Sequence, residues 1–160
     1  MVEHPKYFHN SIYNLYIEKS HIPDAGFGVF TKDFIPANSC IDEYSGEIYS
    51  FNPGGFYIYE YDQNHYIDAR NYPRCYMSMI NDCDFIAKKI IKKKKKKIDI
   101  TPKAYYDENN NILETNCIFK KNTKYKTENK TENKKVYIFS LVDIKPNSEL
   151  FLSYGINYWN

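Results

Sequence analysis

The sequence predicts a mainly β fold of the α+β class, made of several small sheets. Tyrosine and phenylalanine dominate its apolar residues, with 17 Tyr and 10 Phe against one Trp, and aromatic residues favour strands over helices. Short apolar runs alternate with turn residues along the chain, which is typical of short strands. Residues 74–80, after Pro73, are the one good helix candidate in the first half. The chain has 160 residues, which predicts a single domain over residues 1–160.

The predicted strands follow one another at short intervals. In the first half they are residues 13–18, 27–31, 40–44, 57–61 and 66–68. In the second half they are residues 105–106, 112–119, 136–142 and 150–154. The run 136–142 is the clearest buried strand. Two similar turns, IPAN at residues 35–38 and IKPN at 144–147, each precede a strand. Proline presets φ in such a turn, and asparagine tolerates the left-handed region.

Two segments look like low-complexity additions to this domain. A lysine-rich insert covers about residues 85–114, and residues 86–97 alone contain eight lysines that would repel one another, so we expect disorder. A polar loop covers about residues 120–135 and contains the sequence KTEN twice. Residues 85–135 hold 16 lysines against six acidic residues, whereas the remaining chain has six basic and 14 acidic residues. An acidic body suits a basic partner.

Several classes of protein are disfavoured. The first 13 residues lack the apolar run of a secretory signal, and no stretch approaches the roughly 20 apolar residues of a membrane span. The four cysteines, Cys40, Cys75, Cys83 and Cys117, form no C-x-x-C pair. We therefore expect reduced thiols in an intracellular protein, with no metal site and no disulfide framework.

Three motifs carry the functional interpretation. The first, GFGVF at residues 26–30, is weak alone: it reads as a tight turn, or as backbone that must approach a ligand closely. It lacks the third glycine of a dinucleotide fingerprint. The others are HYIDARNYPRCYMSMINDCD at residues 65–84 and VYIFSLVDIKPNSELFLSYGINYW at residues 136–159, and EYSGEI at residues 43–48 lies between the first motif and these two.

In this order the motifs resemble those of SET-domain protein lysine methyltransferases, and most closely those of compact viral SET proteins. The resemblance covers about 110 residues and implies a SET β-clip fold with a C-terminal pseudoknot, here carrying a long lysine-rich insertion. It also implies S-adenosylmethionine as cofactor, and methylation of a lysine on a basic protein such as a histone. A narrow channel suits this reaction, because burial lowers the pKa of a lysine from about 10.4 and alignment supplies much of the rate.

The resemblance also implies roles for individual residues. Tyr154 would be the catalytic tyrosine and Tyr44 would line the active site, although each could be an ordinary core aromatic. Phe119 and Leu152 would line the substrate channel, and neither has a hydroxyl to hold a water, which favours more than one round of methylation. The implied cofactor-binding residues are Gly26, Phe27, Gly28, Asn81, Asp82, Tyr154 and Trp159. Asn81 and Asp82 could instead cap a helix, and Trp159 could simply pack the terminus.

Three departures from the family pattern bear on activity. Asp82 replaces the usual histidine, where it is expected to act through its backbone and could compete for a hydrogen-bond donor near the adenine. Ser78 replaces an arginine, for which Arg74 could substitute if both lie on one helix face. About thirty residues are inserted after Asp84.

The lysine tract from Lys92 to Lys97 has several readings. It could bind nucleic acid weakly or direct nuclear import, since clustered lysines neutralise phosphates. It could be an automethylation substrate, or a product of an AT-rich viral or protist genome. The alternative function is a catalytically weak or inactive SET-like scaffold that docks on chromatin or nucleic acid through this tract. A non-histone protein substrate is a further alternative. Either function places the chain in the nucleus or the cytoplasm.

Overall fold

The computed structural model describes residues 6–83, 105–106, 109–122 and 134–154. This part of the chain is built mainly from short strands, which confirms the predicted fold class. The strands are β1 (Tyr7–Phe8), β2 (Leu15–Lys19), β3 (Phe27–Thr31), β4 (Cys40–Glu43), β5 (Glu47–Tyr49), β6 (Ile58–Asp62), β7 (His65–Asp68), β8 (Arg74–Cys75), β9 (Asn81–Asp82), β10 (Tyr105–Tyr106), β11 (Ile112–Leu113), β12 (Cys117–Lys121), β13 (Val136–Ser140), β14 (Ser148–Glu149) and β15 (Phe151–Leu152).

The strands form six small sheets in the described part. Three sheets have three strands each, in the orders β14-β3-β2, β12-β13-β4 and β5-β7-β6, and β10 pairs with β11. All of these pairings are antiparallel. The two remaining sheets, β1-β8 and β9-β15, are parallel pairs of two residues. Because parallel neighbours cannot be joined by a tight turn, these two pairs bring together segments that are distant in sequence.

The segment after Pro73 corrects the helix prediction. Arg74 and Cys75 form β8, which pairs with β1, and only Tyr76–Met79 is helical, as one 3-10 turn. The Arg74 N–H donates to Lys6 O at 2.8 Å, and the Ser78 hydroxyl donates to Cys75 O at 2.7 Å. Most of the segment is buried in the core, and the tertiary hydrogen bond from Arg74 to Lys6 overrides the local helix propensity.

Two predicted strands differ in the structure. Residues 112–119 divide into β11 and β12, and the strand predicted over 150–154 is shortened to β15. Leu150 lies outside β15, and its N–H donates to Val29 O at 2.8 Å. The cause is a crossing point where Asn116 meets the segment between β14 and β15. β11 pairs with β10, whereas β12 pairs with β13, so the hydrogen-bond ladder is interrupted between them. The periodicity of the sequence does not show where a segment changes its pairing partner.

The two similar turns pack against each other. Ile35 and Ile144 form an antiparallel bridge with N–H···O distances of 2.9 and 2.8 Å. Asn38 and Asn147 both have positive φ, 60° and 63°. The left-handed geometry that the turn sequences predict is therefore confirmed. This bridge joins the first and last parts of the domain, since the two isoleucines are buried in the same core.

The core is aliphatic and is shared by nearly all the sheets. Its fully buried members include Val29 and Ile35 from the N-terminal half and Val136 and Ile138 from β13. The alternating burial of β13 confirms it as a buried strand.

Gly46 lies close to the end of β7, where a Cβ on this residue would collide with the backbone of Asp68. That close approach explains the glycine in the EYSGEI motif.

Asn116 fixes the segment between β14 and β15 by imitating a strand with its side chain. Its amide Nδ2 donates to Glu149 O at 2.9 Å, and its Oδ1 accepts the Phe151 N–H at 2.7 Å. Its own N–H donates to Phe151 O at 3.1 Å, and its carbonyl accepts the Leu141 N–H at 2.8 Å. On its other side Phe151 pairs with Asn81 of β9.

Some predicted features lie outside the described residues. They are the lysine tract Lys92–Lys97 with most of the insert, most of the polar loop, and Trp159. The described ends of the insert lie together, because the Cys83 Sγ is 3.2 Å from the Thr115 Oγ1. The insert therefore leaves and rejoins the domain at one place. None of the four cysteines is in a disulfide. No helix in the described ranges is long and apolar enough to cross a bilayer.

We predict that Asn116→Ala destabilises the protein by about 2–6 kcal/mol, since it leaves two backbone groups of the β14–β15 segment without partners, at roughly 1–3 kcal/mol each. The measurement is urea unfolding followed by circular dichroism. Asn64→Ala is the matched control, because Asn64 is exposed, and it should stay within about 0.5 kcal/mol of wild type. Equal effects of the two substitutions would contradict the role assigned to Asn116.

Candidate active site

An aromatic cavity of about 700 Å³ lies between the β6–β7 hairpin, β12, the 3-10 turn and the end of the described chain. Many of the residues that line the cavity are aromatic or small. The complete lining consists of Ala25, Phe27, Tyr44, Asn52, Gly54, Gly55, Phe56, Tyr57, Ile58, Tyr59, Glu60, Tyr66, Ser78, Met79, Asn81, Phe119 and Tyr154. The cavity thus brings together five residues that were predicted from separate motifs: Phe27, Tyr44, Asn81, Phe119 and Tyr154.

Phe119 is the centre of the aromatic wall. Its ring centroid lies 4.8 Å from that of Tyr59, 5.7 Å from that of Tyr44 and 6.5 Å from that of Tyr154. The 71° angle to Tyr44 is an edge-to-face contact, which aromatic quadrupoles favour. Burial raises the pKa of the Tyr59 hydroxyl above its ordinary value, with a smaller effect from Tyr61. The wall is therefore a low-polarity surface that carries neutral hydroxyls.

Tyr154 is held at both ends. Its hydroxyl donates to the carbonyl of Ile80, and its backbone N–H donates to Asp82 Oδ2 at 3.1 Å. Ile80 and Asp82 flank Asn81, so the segment that supplies Asn81 also positions Tyr154. A tyrosine fixed in this way presents its ring and oxygen to the cavity with little rotational freedom.

Asn81 joins the cavity to the glycine motif. Its Nδ2 donates to Phe27 O at 3.0 Å and lies 3.4 Å from Glu149 Oε1. A Cβ on Gly28 would overlap the Glu149 carboxylate and stand 3.2 Å from the Asn81 amide. Gly28 is therefore required by the packing of Asn81 and Glu149. Gly26 has φ +74° and nothing within 4 Å of the place where a Cβ would stand, so it leaves open space beside Phe27.

Glu149 is a buried carboxylate beside Asn81 and Gly28, with its side chain fully inaccessible. It accepts the Ser20 hydroxyl at 2.7 Å and the His21 N–H at 2.8 Å. Burial raises the pKa of Glu149 above its ordinary value, and the hydrogen bonds from Ser20, His21 and Asn81 oppose that rise. The carboxylate thereby fixes both the 20–21 turn and the Asn81 amide.

The departures from the family pattern are now located. The carboxylate of Asp82 accepts the Tyr154 N–H, so it faces the C-terminal segment, while the Asp82 backbone pairs with Leu152 in β9–β15. Ser78 lines the cavity, and its hydroxyl donates a hydrogen bond to Cys75 O. Arg74 lies on a strand and not one helical turn before Ser78, so the same-face argument was wrong. Its guanidinium packs over Tyr57 at 4.1 Å and donates to Arg70 O at 2.6 Å.

In the described part of the chain, four predicted site residues do not line the cavity: Gly26, Gly28, Asp82 and Leu152. Leu152 is 1% exposed and belongs to the aliphatic core, and Gly28 lies against Asn81 and Glu149. Trp159 is outside the described residues. The β6–β7 hairpin and the loop before it supply lining residues that the motifs did not indicate, notably Phe56, Tyr57, Tyr59 and Tyr66. The sequence PGG at residues 53–55 marked that loop. Among 17 tyrosines, however, nothing in the sequence distinguished Tyr57, Tyr59 and Tyr66 as lining residues.

We predict that Glu149→Gln changes the pH dependence of stability. Because the pKa of Glu149 is higher in the folded than in the unfolded protein, protonation of this carboxylate stabilises the folded state. The stabilisation is complete below the unfolded pKa of about 4.3 and is lost as the pH rises through the folded pKa. The unfolding free energy of wild type minus that of Glu149→Gln should therefore be larger at pH 5 than at pH 7.5. Urea unfolding at the two values measures this difference.

Two controls belong with that measurement. Glu18→Gln is the matched control, because it removes one carboxylate from an exposed position on β2. His21 Nδ1 lies 3.7 Å from Glu149 Oε2, so the comparison is repeated in a His21→Gln background. A difference that does not vary with pH in either background would refute the effect of burial on Glu149.

Comparison with solved structures finds the same fold. A crystal structure of KRYPTONITE in complex with mCHH DNA, H3(1-15) peptide and SAH matches with a TM-score of 0.60 and 22% identity, over 89% of this chain and 23% of that chain. A second KRYPTONITE structure, with mCHG DNA and SAH, matches at 0.62 and 21% over 91% of this chain and 24% of that one. Polycomb repressive complex 2 from Chaetomium thermophilum matches at 0.57 and 18%, over 92% and 16%.

This chain therefore corresponds to about a quarter or less of each of those chains. Comparison with curated protein sequences gave no match. The model of the SET domain matches residues 26–155, which is most of the chain. The match includes GFGVF, EYSGEI, the motif at residues 65–84 and the last motif as far as Gly155. The cavity lies within these limits, apart from Ala25. The chain belongs to the SET-domain family.

Proposed function

We propose that this chain transfers a methyl group from S-adenosylmethionine to a lysine of a basic protein such as a histone. One observation carries the proposal: Tyr44, Phe119 and Tyr154 converge on a single aromatic cavity that Asn81 also lines. An aromatic wall packs the aliphatic stem of a lysine and excludes water from its amine. Burial of that kind lowers the pKa of the amine, which favours the neutral nucleophile.

Tyr154 would then act by position. Because its hydroxyl is already engaged with Ile80 O and its N–H with Asp82, its ring is held rigidly against the incoming amine. Alignment of the reacting groups supplies a large share of the rate in such a reaction. Tyr44, which is 6% exposed and packs edge-to-face on Phe119, would narrow the same channel.

The residues beside the glycine motif fit the cofactor. Gly26, Phe27 and Gly28 would hold its methionine end, with Asn81 as a side-chain contact and Asp82 acting through its backbone. The open space at Gly26 is the observation that supports this fit. When bound, S-adenosylmethionine supplies an activated methyl group on a sulfonium. Trp159 stays a predicted partner of the adenine.

The substrate class follows from charge and from the neighbours. The remainder of the chain outside residues 85–135 carries 14 acidic and six basic residues, which suits a lysine-rich partner. KRYPTONITE was solved with an H3 peptide, and that supports a histone substrate for a related domain. A histone substrate would place this protein in the nucleus, or in the cytoplasm where histones are made. A weak contact of Lys92–Lys97 with nucleic acid remains part of this proposal.

We predict that Tyr154→Phe abolishes most methyl transfer, by at least about a hundredfold, because the ring loses the hydroxyl that Ile80 O fixes. Radiolabelled S-adenosylmethionine is incubated with mixed core histones and the purified protein. Tyr16→Phe is the matched control, since Tyr16 lies on β2 outside the cavity, and it should keep wild-type activity.

The outcomes separate the candidate functions. Label on a histone, lost in Tyr154→Phe and kept in Tyr16→Phe, supports the enzyme and its substrate class. Label on the protein alone indicates automethylation. If no label appears and calorimetry detects no binding of S-adenosylmethionine, the transferase is refuted, and the chromatin scaffold becomes the better description.

A further inference from the structure

One side of the cavity is a loop with little apolar burial. Residues 52–57, called here the 52–57 loop, lie between β5 and β6, and all of them except Pro53 line the cavity. Asn52 and residues 54–56 are exposed, and Phe56 exposes 68% of its surface. Segments with few buried apolar contacts open at low cost in free energy. Apolar burial alone therefore holds this loop only weakly.

The guanidinium of Arg70 joins the 52–57 loop to the end of β7. Its Nη2 donates to Gly54 O, and a Cβ on Gly55 would stand 3.3 Å from its Nη1. The guanidinium thus lies directly against the backbone of the two glycines. Gly54 and Gly55 both have positive φ, 72° and 98°, which other residues rarely adopt. The glycine pair therefore permits the backbone geometry in which the Gly54 carbonyl meets Arg70.

Arg70 is itself fixed by a buried carboxylate. Its Nε lies 2.6 Å from Asp68 Oδ2, and its backbone N–H donates to Asp68 Oδ1 at 3.0 Å. The Asp68 side chain is only 4% exposed, whereas that of Arg70 is 39% exposed. Asp68 belongs to β7, the central strand of the β5-β7-β6 sheet. The planar fork of a guanidinium can serve two partners at once, so Arg70 connects the loop to a rigid strand.

A second attachment holds the other end of the loop. The Ala69 N–H donates to Tyr57 O at 2.9 Å, and the guanidinium of Arg74 packs 4.1 Å from the centroid of the Tyr57 ring. Arg74 Nη2 also donates to Arg70 O. In the described part of the chain, neither arginine lines the cavity. Any effect of Arg70 on a ligand must therefore pass through the 52–57 loop.

We propose that Arg70 is a positioning residue: by joining Asp68 to Gly54, it holds the 52–57 loop where the loop completes the ligand-binding cavity. The inference rests on the proposed methyltransferase function. If the loop is released, an incoming ligand must order it, and that conformational cost weakens binding. Tyr154 is fixed separately, by Ile80 and Asp82. Loss of Arg70 should therefore raise KM and leave kcat nearly unchanged.

The test compares the full-length wild type with Arg70→Gln, Arg70→Lys and Gly55→Ala. Arg70→Lys keeps a positive charge beside the buried Asp68, so it preserves the fold, but a single ammonium replaces the planar fork. Gly55→Ala disturbs the same loop from its own backbone, because φ of 98° disfavours alanine. Lys145→Gln is the matched control for Arg70→Gln, since Lys145 is exposed and does not line the cavity.

Two measurements are made on each protein. Hydrogen exchange of the unliganded chain, followed by mass spectrometry, reports opening of the 52–57 loop without any dependence on activity. Methyl transfer is then measured with mixed core histones and S-adenosylmethionine, each varied in turn, to separate KM from kcat. Urea unfolding confirms that each variant is folded under the assay conditions.

In Arg70→Gln and Gly55→Ala, exchange in the 52–57 loop should be about three- to tenfold faster, as expected when a partly exposed ion pair and a hydrogen bond are lost. Exchange in β13 should be unchanged. KM for at least one substrate should rise by a similar factor, with kcat within about twofold of wild type. Arg70→Lys should lie between these variants and wild type, and Lys145→Gln should match wild type.

The outcomes distinguish the inference from the proposed function. Exchange that is unchanged in both Arg70 variants would show that Arg70 does not hold the loop. Faster exchange with both KM values unchanged would show that the loop positions no ligand, and the inference would again be wrong. Faster exchange in the variants, together with no methyl transfer by wild type, would refute the proposed function and leave the contact between Arg70 and the loop in place.

Discussion

The parallel pairing of β9 with β15 is the constraint on which the rest of this site depends. Two residues, Asn81 and Asp82, pair with Phe151 and Leu152, which are seventy positions away in sequence. On the opposite side the same C-terminal segment is held by the side chain of Asn116. A single extended segment is thus fixed between two neighbours that come from different parts of the chain. Tyr154 follows it directly, so its place beside the cavity is set by this pairing.

Buried polar groups stabilise the arrangement from behind. Glu149 lies just before the paired segment, and its carboxylate collects hydrogen bonds from Ser20, His21 and Asn81. A buried carboxylate is costly unless its oxygens are satisfied. Here the donors that satisfy it belong to the turn before the glycine motif and to the segment that bears Asn81. The same carboxylate therefore links the glycine motif to the segment that bears Asn81, and it leaves room for only a glycine at position 28.

The replacement of the family's histidine by Asp82 is accommodated within this network. A carboxylate at this position can accept a backbone N–H, and the structure uses it for Tyr154. The acidic side chain, which could have competed for a hydrogen-bond donor near the adenine, is thus engaged with the C-terminal segment. The insert after Asp84 begins and ends close to this site. Cys83 and Thr115, which flank it, are in contact, and Cys83 packs in a small cluster with Ile22 and Phe151. The pairing of β9 with β15 is intact beside it.

The sequence by itself determined the fold class, the strand β3 to the residue, the left-handed asparagines of the two turns, and the motif residues that meet in the cavity. These features depend on local sequence: the content of aromatic and β-branched residues, the turn residues, and the short motifs on which the family resemblance rests. Tertiary structure decided the rest. Residues 74–80 form a strand and a 3-10 turn because β1 supplies hydrogen bonds to Arg74 and Cys75. The strand predicted over residues 112–119 is interrupted near Asn116. Tyr59, Glu60 and Tyr66 reach the cavity through the pairing of β6 with β7. Contacts between distant segments carry no signal in local periodicity, so only the folded chain shows them.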